Sequence, residues 1–408
     1  MKRSTDRILT THVGSLVRPV KIREFMAAME GGKPYDKAEF EATLKREVAG
    51  VVKQQADTGL DIVSDGEFGK ISWFGYLEER LGGLTLRDIK PDEYVPSIRS
   101  IAPEVKDFPE FYEAYFPIMV YDWLPPGESK TRLPAPPLPR DQKVWDFSGP
   151  VSYTGQAAIK RDIDDFKNGL AKVKVEEAFL PVVAPMSARG NFYNSYFKNE
   201  DELFAQLAAA LREEYKAVID AGLLIQVDDA FLAHEYDRLV REMDEKDVIK
   251  HCEMCVELLN AALEGIPEDK VRYHVCWGSW AGPHASDIPL SKLVGMVLKV
   301  KAQAYSLEAA NPRHEHEWQV WKDVKLPDGK MLIPGVVTHS TNVVEHPELV
   351  ALRIKNFASV VGKENVIAGT DCGFAQGYRV VRVHPSVQWA KLSALVEGAK
   401  LASQELWN

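Results

Sequence analysis

The stretch VRYHVCWG, residues 271–278, is a short apolar run that ends in residues able to do chemistry. Its length, its closing glycine and the helical periodicity on either side of it predict a buried strand. The same shape recurs at Ile8–Ser15, Asp61–Glu67, Val144–Tyr153, Phe179–Ala184, Leu223–Asp229, Ala304–Ala309, Met331–His339 and Val366–Thr370. Between the runs, Glu39–Thr58, Glu200–Ala221, Asp247–Glu264, Ser291–Lys301, His346–Val361 and Ser386–Gln404 carry apolar residues at helical spacing, and Pro385 stands where a first-turn proline belongs. Alternation of this kind implies βα units and a parallel sheet. The expected fold class is α/β, a single (β/α)8 TIM barrel spanning residues 1–408.

There is one run more than such a barrel uses. Phe179–Ala184 is the one to set aside, because Pro181 interrupts it and the irregular segment PMSARGNFYN follows, which reads as part of an inserted active-site loop. Val144–Tyr153 is then the third strand. The proline-rich region 82–142 departs from the alternation and is expected to be an insertion between strands 2 and 3, folded as an extended hairpin or lid.

Barrel enzymes place their chemistry at the C-terminal ends of strands. Ser15, Glu67, Asp228, His274, Glu308, His339 and Cys372 all fall at the ends of runs. His274 and Cys276 are two apart, so on a strand both side chains face the same way. With Glu308 and Cys372 they form a candidate metal site. Two thiolates, one imidazole and one carboxylate suit Zn²⁺ better than Mg²⁺ or Ca²⁺, which prefer oxygen shells. On residue types alone, a buried structural histidine beside two inert core cysteines is the competing reading.

Other features are blander. Cys252 and Cys255 form a C-x-x-C inside an amphipathic helical segment and are expected to pack. The run 313–317 (RHEHE) is expected to open a helix and present a solvated face, with a pocket-rim role as the minority reading. Glu67 and Asp228 suggest a substrate with a cationic or hydroxyl handle, and Gly14 with Ser15 could offer backbone N–H groups to an anion. Arg18 and Arg189 are candidate anion partners, and Asp229 is as well explained by an ion pair with a nearby arginine.

Bulk properties bound the function. A chain of 408 residues with 45% hydrophobic content can bury a large core. A net charge of −10 argues against nucleic acid or an anionic membrane as the main partner, so a small molecule is expected. No apolar run reaches membrane-spanning length and MKRSTDRILTTHVG does not read as an export leader. The expected compartment is the cytoplasm, where four cysteines stay reduced and free to hold metal. A homo-oligomer is compatible with all of this.

The pieces THVGS, DIVSDGE, SGPVS, LLIQVDD, HVC, SLEAA, GVVTHSTN and GTDCGF, in this order, resemble the C-terminal catalytic barrel of cobalamin-independent methionine synthase and its single-barrel zinc-dependent thiol alkyltransferase relatives. The resemblance runs from about Thr10 to the C-terminus, broken by the proline-rich insertion. It implies that His274, Cys276, Glu308 and Cys372 bind catalytic zinc. Glu67 and Asp228 would grip the ammonium group of homocysteine, the backbone at Gly14 and Ser15 would meet its carboxylate, and His339 would act as proton donor to the leaving group. The reaction implied is methyl transfer to homocysteine sulfur from a methylated folate or a methyl-corrinoid.

Three departures bear on the donor. The 408 residues are expected to form one barrel where the long enzymes have two, SGPVS is followed by YTGQAAIKRD without the expected tryptophan, and Asp-Glu-Pro is replaced by Asp228-Asp229-Ala230. Relatives that add coenzyme M to epoxides give a second expectation, a carbon–sulfur lyase needing a cationic pocket for a sulfonate. A metal-free barrel like uroporphyrinogen decarboxylase is the third, and the complete ligand set speaks against it.

Overall fold

The computed structural model describes residues 1–90, 102–115, 143–279 and 282–408. Most of the insertion expected at 82–142 therefore lies outside the described residues. In chain order the strands are β1 (Leu9–Thr10), β2 (Ile62–Val63), β3 (Leu81–Asp88), β4 (Lys143–Tyr153), β5 (Glu177–Val183), β6 (Tyr193–Asn194), β7 (Leu224–Asp229), β8 (Val271–Val275), β9 (Ala304–Leu307), β10 (Met331–Val337) and β11 (Ile367–Thr370).

Eight of them form one parallel sheet in the order β1-β11-β10-β9-β8-β7-β5-β2. Its two edges meet where the Asp61 N–H donates to the Thr10 carbonyl (3.2 Å) and Thr11 Oγ1 donates to the Ile62 carbonyl (3.0 Å). The sheet thus curls into a nearly closed (β/α)8 barrel, whose helices lie between successive strands in the chain. The helix Lys37–Thr58 shows the local logic. Asp36 accepts from the Glu39 N–H at its start, and Gly59, at φ 96°, ends it in the left-handed conformation that costs glycine least.

Period-2 alternation sorts the barrel strands into two cores. Leu9, Ile62, Phe179, Leu224, Ala304, Met331, Ile333 and Ile367 pack together as a cluster inside the ring. Tyr273, Val275, Ile225, Val227 and Leu307 belong to the larger core between strands and helices. The register pairs Asp228 with His274 and His274 with Ser306, so these residues stand in one layer near the C-terminal mouth.

One strand assignment is corrected. The third barrel strand is β5, which takes in the run expected to lie outside the barrel up to Val183, and β4, which contains Val144–Tyr153, lies in a separate three-stranded sheet ordered β3-β4-β6. The pairing of β5 with β2 ends at Ala178, so Pro181 stands beyond that ladder; its ring fills the space a side chain on Gly14 would need, and its carbonyl accepts from Lys70 Nζ (2.6 Å). The β4 strand pairs antiparallel with β3 and alternates buried with exposed residues, as a sheet with one wet face does. Among the described residues no helix is long and apolar enough to cross a membrane.

Candidate metal centre

The β8 strand delivers His274 to the mouth of the barrel and the turn after it delivers Cys276; the turn after β11 delivers Cys372. One ligand atom from each lies within 4.8 Å of the others, and all three residues are buried. The sulfurs of Cys276 and Cys372 are 3.6 Å apart, too far for the roughly 2.05 Å of a disulfide, and both cysteines are free. His274 Nδ1 is engaged with Ser306 Oγ (3.2 Å), whereas its buried Nε2 has no hydrogen-bond partner. Orienting one ring nitrogen and leaving the other bare is how a histidine is prepared for metal.

The donor set fits zinc. Soft sulfur and imidazole donors converge, and an otherwise costly orphan nitrogen gains a reason to be there. Glu308 stands just outside this set. Its Oε1 accepts the Trp277 N–H (3.0 Å) and its Oε2 accepts from Asn311 Nδ2 (2.9 Å), while burial pushes its carboxyl well up.

The hydrogen bond between the sulfurs pushes the Cys276 thiol up and draws Cys372 well down, so the two thiols titrate as one pair. Burial disfavours charge on His274, but the adjacent Cys372 sulfur outweighs it and raises the imidazole. A bound cation would displace these protons.

Several neighbours of the site were missed in the sequence. Ser279 Oγ donates to Cys372 Sγ (3.1 Å), and the Gly278 N–H donates to Cys276 Sγ (3.2 Å). Asp371 Oδ1 accepts the N–H groups of Ala309 (2.7 Å) and Ala310 (2.8 Å), tying the turn that carries Glu308 to the turn that carries Cys372. A Cβ on Gly335 would fall 2.1 Å from that same Oδ1, and one on Gly373 would fall 2.0 Å from Ser15 Oγ. Only the short spacing around H-x-C and D-C signalled this region, because the partners come from other strands.

The remaining predicted residues surround the same mouth. His339 is buried, its Nδ1 has no partner, and burial lowers its pKa to about 4, so it is a neutral ring at pH 7. The charges of Cys372 and His274 both act on it. Asp228 accepts from Gln226 Nε2 (2.8 Å), and burial, with Glu67 adding to it, raises its pKa to about 7. Glu67 has φ 59° and its Oε1 accepts from Lys70 Nζ (3.2 Å), a partner three residues on that the sequence reading passed over.

Gly14 adopts φ 134°, and its N–H donates to His12 Nδ1 (3.1 Å). The Ser15 carbonyl accepts the Phe374 N–H (2.9 Å). Arg18 donates to the carbonyls of Lys70 and Ala375, and Arg189 pairs with Glu200. Asp229 is held by Ser187, Tyr273 and two N–H groups rather than by an arginine. Cys252 and Cys255 pack in the core as expected. His314 and Glu317 are buried, not solvated, which reverses the reading of the 313–317 run for those two positions.

A family model described as the catalytic domain of cobalamin-independent synthase matches residues 191–393, the stretch that carries His274, Cys276, Glu308, His339 and Cys372. The chain resembles the cobalamin-independent methionine synthases. A methionine synthase of Saccharolobus solfataricus is 24% identical over 97% of this chain and 95% of its own length. A B12-independent methionine synthase from Shewanella sp. W3-18-1, solved in complex with selenomethionine, superposes with a TM-score of 0.69 at 18% identity, covering 98% of this chain and 99% of that one. A putative vitamin-B12-independent methionine synthase from Listeria monocytogenes gives a TM-score of 0.63 at 17% identity, covering 97% and 98%. The synthase-like fold thus extends over the barrel as a whole, beyond the matched C-terminal half.

Proposed function

We propose that this barrel transfers a methyl group to the sulfur of a small thiol, with homocysteine the first candidate and a methylated folate or methyl-corrinoid the donor. The observation that carries the reading is the convergence of His274, Cys276 and Cys372 at the mouth, with His274 Nε2 bare and both sulfurs unbridged. These three residues, with Glu308 as the fourth, would hold zinc. When bound, the ion supplies the positive charge that keeps a substrate thiol ionised at neutral pH.

The chain's own residues do the rest. Ser306 fixes the His274 ring, and Asp371 fixes the turns on which Glu308 and Cys372 sit. His339, neutral and buried beside the thiols, can offer a ring N–H to a leaving group. Asp228, Glu67 and the Gly14–Ser15 turn line the same mouth and are the groups on which an amino-acid thiol would be positioned.

One observation favours a second reading, addition of coenzyme M to an epoxide. Lys70 already engages Glu67, which lowers the value of that carboxylate as an ammonium site.

Purified protein is expected to hold about one zinc per chain, as one four-ligand site implies, and Cys276→Ser or Cys372→Ser should lose it. The zinc-loaded protein is then incubated with homocysteine, coenzyme M or simple thiols, each with methyl-folate, methylcobalamin or an epoxide, and products are identified by mass. S-methylation of homocysteine is expected. Turnover with coenzyme M alone selects the second reading, and full activity of metal-free protein overturns both.

A further inference from the structure

Arg382 lies ten residues past Cys372 and had no role in the sequence reading. Its backbone N–H donates to the Phe374 carbonyl (3.3 Å), and the Phe374 N–H donates to the Ser15 carbonyl (2.9 Å). Arg382 therefore closes the loop that begins at Cys372 and leans on Ser15. Its side chain is half-buried, and its Nε is fully buried with no hydrogen-bond partner. That backbone bond to Phe374 sets Arg382 beside the segment that carries Cys372, and its charge interacts with Cys372, Cys276 and His339. Burial lowers its pKa to about 10, which leaves it charged at neutral pH.

Arg18 Nη2 and Arg272 Nε are likewise buried without a partner, but both side chains are anchored to protein through other nitrogens. Arg272 donates to Thr11 Oγ1 and the His12 carbonyl (both 3.0 Å), and Arg18 to the Lys70 (2.9 Å) and Ala375 (3.0 Å) carbonyls. A buried guanidinium N–H without an acceptor carries a desolvation cost that an incoming anion removes. Arginine is also the side chain whose fork matches a planar or trigonal oxyanion. At the opposite handle, Glu67 and Lys70 neutralise one another, so the mouth offers an incoming thiol more for its negative end than for a positive one.

We infer that Arg382 receives the anionic group, carboxylate or sulfonate, of the thiol substrate, with Ser15 beside it, so that the barrel selects small anionic thiols over neutral ones. The inference rests on the thiol-alkylation reading above and names the substrate class for that site.

The test measures binding to the zinc-loaded protein by calorimetry, apart from turnover. The probes are 3-mercaptopropionate and 2-mercaptoethanesulfonate, which carry an anion but no ammonium, and the neutral 2-mercaptoethanol. Wild type should bind the anionic probes about 10- to 100-fold more tightly than the neutral one, as one charge-assisted contact implies. Arg382→Gln should abolish that preference, and Arg382→Lys should restore part of it. Arg379→Gln on the same loop, an exposed arginine already paired with Glu30 (2.6 Å), should leave it unchanged. The carboxylate and sulfonate arms show which anion the site prefers. Equal binding of neutral and anionic thiols by wild type, or an unchanged preference in Arg382→Gln, overturns the inference alone. Failure of every thiol to bind zinc-loaded wild type overturns it together with the functional reading.

Discussion

Lys70 and Glu67 form an ion pair whose side chains are 4% and 2% exposed, and Lys70 Nζ also donates to the Pro181 carbonyl. Removing one member of such a pair leaves the other charged and dry. Lys70→Met is expected to destabilise the fold by about 3–5 kcal/mol, and a Lys70→Met/Glu67→Gln double variant to recover much of that loss. Denaturant unfolding measures both; a single variant within about 0.5 kcal/mol of wild type, the range of ordinary surface changes, would show that the pair contributes nothing. At this scale the sequence was legible where chemistry depends on near neighbours. The parity of His274 and Cys276 follows from strand geometry alone. Ser306, Asp371 and Ser279 were not legible, because each acts on a partner brought close only by the fold, and Lys70 was overlooked although it sits three residues from Glu67.

Two elements show how a local pattern can mislead and still position the site. Pro181 made β5 look broken, yet its neighbours supply a carbonyl partner and a glycine-sized gap, while the better-looking β4 is held in a side sheet by β3. The 3₁₀ helix Glu315–Lys322 is the second case. His314 Nδ1 contacts Glu317 Oε2 (2.8 Å), its Nε2 contacts Asp287 Oδ2 (3.2 Å), and its ring packs against Trp277 at 4.4 Å between centroids. Burial opposes the charge, but the bonds to Asp287 and Glu317 win and raise the His314 pKa to about 10. The folded value lies above the unfolded one, near 6.5, so this contribution to stability is complete below about pH 6.5 and disappears as pH climbs to about 10. It should be on the order of 1–3 kcal/mol, as for hydrogen bonds to charged groups. Urea midpoints measured from pH 6 to 10 should fall more steeply for wild type than for His314→Gln; parallel curves would refute the assignment.

At the scale of the whole molecule, the candidate ligands come from β8 and from the turns after β8, β9 and β11, on one side of a ring whose two ends meet at Thr10 and Asp61. A metal at that point would tie separate βα units together and bind the folded chain alone, so its affinity would appear as stability. Free zinc at a hundredfold excess over its Kd should add about 3 kcal/mol. The melting temperature should rise with zinc and fall with a chelator, and Cys372→Ser should respond to neither. A chelator-insensitive wild type would argue against a resident ion. The alternation of apolar runs and helices made the ring legible in advance. The small sheet was not, since its pairing joins segments on either side of the proline-rich stretch.

Gly335 and Gly373 stand in the space that Asp371 and Ser15 need. A methyl group at either position would displace a neighbour of the candidate ligands while leaving every one of them in the sequence. A protein with the full histidine, cysteine and glutamate set but a larger residue at one of these glycines would thus pass a ligand-based motif search without having the centre. A useful fingerprint for this chemistry must therefore specify two vacant positions along with its donors.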